Sequence, residues 1–158
     1  MDEKVKAFVK ELTDWAEKAG FILQANFSRI ELQTIIDSNY SELKELSIDQ
    51  LSDYVFTLIK AEKNYRSVIN KLNAIINYCN TNIDFAIGAD LARDTAMVKN
   101  EIKVINLIKK DSLCKELFRV KNKCQSKLSI VDGELETILK ISNIIETLIK
   151  RKSYARIN

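Results

Sequence analysis

The chain of 158 residues, 46% hydrophobic and 30% charged, is long enough for one domain with a sizeable helical core and too apolar to be disordered. It contains no histidine, which removes the commonest metal ligand, the commonest general base and every Ser-His or Cys-His nucleophile pair. The net charge of +3 joins two unlike halves: residues 1–98 carry 11 basic and 15 acidic side chains (−4), and residues 99–158 carry 14 and 7 (+7), which fits either an anionic ligand at one end or head-to-tail association between copies.

With no proline and only Gly20, Gly88 and Gly133, the chain has few places where a helix must stop, so long helices are expected. No apolar run reaches eighteen residues, and Met1-Asp2-Glu3-Lys4 is charged where a signal peptide needs an apolar core. The expectation is a cytoplasmic protein, in the host cytoplasm if phage-encoded, with no membrane partner. Cys79, Cys114 and Cys124 are odd in number and widely spaced, and read as small core residues in a reducing compartment; neither a metal site nor any other cofactor is expected.

In chain order, Val5, Phe8, Val9, Leu12, Trp15 and Ala16 fall at helical spacing between Asp2 and Ala19, with Gly20 as the stop; the Phe and Trp are expected to dock on the long helix that follows. Ser28-Arg29-Ile30-Glu31 reads as a capping box for a helix with Ile30, Ile35 and Ile36, weakened at Asp37-Ser38-Asn39, so two short helices are expected before Leu46. Ser47-Ile48-Asp49-Gln50 is a second capping box and opens the element that organises the chain. Ile48, Leu51, Val55, Leu58, Tyr65, Ile69, Leu72, Ile76, Cys79, Ile83 and Ala86 recur at alternating steps of three and four, a seam that wants a partner helix over roughly 60 Å. Glu62 interrupts the seam at a core-facing position; its expected role is structural, setting register or oligomer state.

A kink or break is expected at Gly88, after which Leu91, Val98, Ile102 and Ile105 resume a helical spacing to about Lys110. Asp111 and Ser112 cap a last helix with Leu113, Leu117, Val120, Cys124, Leu128, Val131, Leu135, Ile138, Ile145 and Ile149 on one face, read as passing unbroken through Asp132-Gly133. The expected fold is an all-α, coiled-coil-like bundle in which the long helix and the last helix pack antiparallel, in a single domain over 1–158 divided as 1–46, 47–110 and 111–158, with homo-oligomerisation along the seam.

Helical projection places Lys115, Arg119 and Lys123 in a row opposite the apolar face of the last helix, with Lys121 and Lys127 flanking that face. Cations repelling at i, i+4 spacing are either a solvated helix face or a phosphate-binding row, and Phe118 beside them either packs on a neighbour or offers a base a surface to stack on. Lys109 and Lys110 precede the row, and Lys150, Arg151, Lys152 and Arg156 around Tyr154 form a second basic cluster. No enzyme is expected: Glu42-Leu43-Lys44-Glu45 lacks the second half of a helical metal-dependent pyrophosphatase site, and no phosphate-cradling glycine loop is present.

The segments Glu101-Ile102-Lys103, Lys110-Asp111, Leu135-Glu136-Thr137-Ile138 and Ile144-Ile145-Glu146-Thr147-Leu148-Ile149-Lys150 resemble small bacteriophage recombination mediator proteins of the UvsY type, over about sixty residues; Ser153-Tyr154-Ala155-Arg156 departs from that pattern. The resemblance implies a helical, ring-like homo-oligomer that binds single-stranded DNA and helps load a recombinase onto strands covered by single-strand binding protein, without catalysis or nucleotide. The nucleic-acid-binding residues expected are Lys109, Lys110, Lys115, Phe118, Arg119, Lys123, Lys150, Arg151, Lys152 and Tyr154. The alternative is a non-catalytic helical adaptor, inhibitor or structural protein, acting through protein contacts alone. A membrane-surface role is disfavoured because the apolar faces are already needed for the core.

Overall fold

The computed structural model describes residues 3–18, 29–93 and 99–157. Among them the chain forms six α-helices and no strand: α1 (Glu3–Lys18), α2 (Arg29–Asp37), α3 (Tyr40–Glu45), α4 (Ile48–Arg93), α5 (Asn100–Lys110) and α6 (Ser112–Ile157). The helix starts are written in side-chain chemistry. Asn39 accepts the Glu42 N–H at 3.0 Å while the Asn39 N–H donates to the Glu42 carboxylate at 2.9 Å, a capping box that separates α3 from α2. Ser47 and Gln50 exchange the same pair of bonds at the head of α4. Gly20 and Ser28 lie outside the described residues, as do Val98 and the side chains of Leu12, Trp15, Ala16 and Arg156.

The chain divides into two compact units: Met1–Phe21 with Ile69–Ser129, and Ile22–Val68 with Ile130–Asn158. The helices α4 and α6 each give one half to either unit and pack against one another. In the second unit, Leu51, Leu58 and Ala61 of α4 meet Ile138, Ile145 and Leu148 of α6, roofed by Leu32 and Ile35 of α2 and Leu43 of α3. Each such Leu or Ile contributes roughly 1.5–3 kcal/mol by leaving water. In the first unit, Leu72, Ile76, Cys79, Ile83 and Ile87 of α4 are buried together with Ile108, Cys114, Leu117, Val120 and Cys124. The Phe8 ring of α1 stacks on Tyr78 of α4, centroids 4.2 Å apart and planes 11° apart, as expected of an aromatic face docking on the long helix.

Four details differ from the sequence expectation. The helix does not break at Gly88 but runs through it to Arg93, because Ile83 and Ile87 hold the core face on either turn and one exposed glycine costs only about 1 kcal/mol. Ala86 is exposed and Ile87 buried, since a helix of 3.6 residues per turn drifts past a 3.5-residue seam and brings later positions inward. At the interruption of the seam the residue in the core is Ala61, fully buried, and Glu62 stands at the edge, its carboxylate 2.7 Å from the Arg66 guanidinium. In α5 the inward residues are Ile108 with Val104 and Leu107; Ile102 and Ile105 stay nearly half exposed, because α5 is a helix separate from α4 and takes its own rotational phase. As read from the sequence, α6 passes through Gly133 without interruption. No helix among the described residues is long and apolar enough to cross a membrane.

Candidate nucleic-acid interface

The basic row starts where α6 starts. Asp111 accepts the Cys114 N–H at 2.7 Å, which caps the first turn. Leu117, Val120 and Cys124 then take the core side, and Lys115, Arg119 and Lys123 are left exposed. Lys127, placed by helical projection at the flank of the apolar face, is exposed as well, one step of four beyond Lys123. Arg119 has a partner, the Glu116 carboxylate at 3.5 Å, whereas Lys115, Lys123 and Lys127 form no ion pair among the described residues. Successive members are separated by about 6 Å of helix rise, a line of cations with one weak counter-charge.

Phe118 is half-buried, between the two placements its position allowed, and the Lys121 ammonium lies 5.8 Å from its ring centroid. Lys109 and Lys110 are exposed in the last turn of α5, where positive charge also suits the helix dipole. These six residues share the first unit.

Lys150, Arg151, Lys152 and Tyr154 belong to the second unit, so the ten candidates fall into two groups. Within this group the side chains differ. Lys150, Arg151 and Tyr154 are exposed, Tyr154 by 69%. Lys152 is half-buried and its ammonium donates to the Lys44 carbonyl at 2.6 Å, so it serves to tie the last turn of α3 to α6. Arg151 Nη1 donates to the Tyr40 hydroxyl at 3.4 Å, and Tyr40 in turn has the Lys44 ammonium 5.4 Å from its ring centroid. Tyr40 and Lys44 were not among the sequence candidates: they stand more than a hundred residues from Arg151, and only folding brings them to it. Together with Asn143, Ile144, Thr147 and Leu148, Tyr40 and Arg151 line an open groove of about 300 Å³.

The three cysteines are free and buried. Burial pushes the Cys79, Cys114 and Cys124 thiols up from their ordinary range, so each is held as a neutral thiol. The arrangement is therefore one of exposed, largely unpaired cations beside partly open aromatic rings, on helices braced from behind by an apolar core. Comparison of the chain with protein-family models, with curated proteins and with solved structures finds no match.

Proposed function

We propose that the protein binds single-stranded DNA along the exposed face of α6 and acts as a non-catalytic accessory in recombination, helping to load a recombinase onto strands covered by single-strand binding protein. The observation that carries the binding is the row Lys115, Arg119, Lys123 and Lys127, in which three of four cations have no carboxylate partner among the described residues. Unneutralised like charges at this spacing destabilise a helix, and a phosphate chain relieves them while releasing its own counterions. Phe118, partly exposed on the same helix, offers a base an aromatic surface. The recombination context is supported by the resemblance of the C-terminal third to phage mediator proteins, which also motivates homo-oligomeric assembly.

The test is binding to labelled oligo-dT by fluorescence anisotropy across a range of salt. Affinity is expected to fall steeply with salt, and Lys115→Gln and Lys123→Gln are each expected to lower the slope by about 0.7, one phosphate contact on a single strand. Arg119→Gln should do less, because Glu116 already engages it. Undetectable binding at low salt overturns the proposal and favours the adaptor reading, for which Phe85, 89% exposed on α4, offers an apolar ring that a protein partner would cover.

A further inference from the structure

We infer that the groove between Tyr40 and α6 is a nucleotide subsite for single-stranded DNA, in which a base lies against the Tyr40 ring and the Ile144 and Leu148 side chains while its phosphate meets the Arg151 guanidinium. The inference rests on the single-stranded DNA reading and deepens it. Apolar walls come from Ile144 and Leu148, and Tyr40 is 46% exposed at the opening. Arg151 spends one N–H on a long bond to the Tyr40 hydroxyl and makes no ion pair among the described residues, so most of its planar donor fork is open to an anion. Tyr154, three residues on and on the same face of α6, is a second exposed ring.

Charge selects the occupant. Arg151 lines the groove, Lys44 holds its ammonium 5.4 Å from the Tyr40 ring centroid, and Lys150 and Lys152 are the chain neighbours of Arg151 on α6. The cations outnumber the acids of these two helix ends: Glu42, which accepts the Asn39 N–H, and Glu45 lie on α3, and Glu146 projects away from Arg151 on α6. An apolar slot with an aromatic lid and a cationic rim fits a base with its phosphate, since every base has a face to stack and every nucleotide one negative charge to neutralise.

Two measurements on the full-length chain test the assignment. An oligo-dT carrying 5-iodouracil, irradiated in complex with the wild-type protein, is expected to cross-link to Tyr40 or Tyr154. Tyr40→Leu should weaken oligo-dT binding by roughly tenfold without changing the salt slope, Tyr40→Phe should restore it, and Arg151→Gln should lower the slope by about 0.7. Wild-type affinity in Tyr40→Leu, with cross-links only at Phe118, overturns the groove and leaves the α6 row standing. Undetectable binding of the wild type at low salt overturns both. A Tyr40→Leu variant whose mass in light scattering changes while its DNA affinity does not assigns the groove to contact between copies and overturns the inference. If that variant loses its helical signal, the wild-type cross-link decides.

Discussion

The Asp111 carboxylate accepts the Cys114 N–H at 2.7 Å while the Asp111 N–H donates to the Leu107 carbonyl at 3.4 Å, so a single residue closes α5 and opens α6. The Cys114 bond favours the ionised carboxyl, and it holds Asp111 below the usual carboxylate range. A carboxyl depressed in the folded state binds fewer protons there than in the unfolded chain. Its contribution is therefore present above about pH 4 and is lost as pH falls below that range. Asp111→Asn keeps the cap but cannot titrate. It is expected to match the wild type near neutrality and to lose less stability between pH 5 and pH 3, measured by urea unfolding, whereas Asp111→Ala should be weaker throughout. Coincident acid limbs for wild type and Asp111→Asn would remove Asp111 from the account.

Gly88 and Gly133 both lie inside continuous helices, are exposed, and have nothing within 4 Å of an added Cβ. Alanine at either position should raise stability by up to about 1 kcal/mol, because glycine forfeits more backbone entropy in a helix. Thermal unfolding should show a melting temperature higher by roughly 2–4 °C per substitution, with the two gains additive. A fall on Gly88→Ala would mean that the helix needs a bend at that point.

The buried thiols make a prediction of the opposite sign in pH. Burial raises the Cys79 and Cys124 thiols, and for Cys79 the neighbouring Cys124 raises it further. Folding thus favours the protonated form, so the stabilisation is complete below about pH 8.5 and is lost as pH rises through the folded-state values. Native protein at pH 8 should react with Ellman's reagent far more slowly than unfolded protein. Cys79→Ala should also lose less stability than wild type between pH 8 and pH 10. Rapid modification of all three thiols in the native state would place them at the surface.

Much of the architecture is legible in the sequence because it depends on chemistry within four residues. The capping box at Ser47, the Asp111 cap and the passage of α6 through Gly133 follow from hydrogen bonds and periodicity that a helix satisfies by itself, whereas the box at Asn39 stands where the sequence showed only a weak point between two short helices. What needed the tertiary structure is each choice between near-equivalent neighbours. Whether Ala61 or Glu62 enters the core and which face of α5 turns inward depend on how closely the facing helix approaches, and no local energy decides that. The candidate interface divides along the same line. The row of Lys115, Arg119 and Lys123 belongs to one helix and could be counted off at steps of four, whereas the meeting of Tyr40 with Arg151 and the commitment of Lys152 to the Lys44 carbonyl exist only once α3 lies on α6. Residues more than a hundred positions apart leave no spacing to read, and it is the burial of Leu43 against the α4 and α6 core that brings them together.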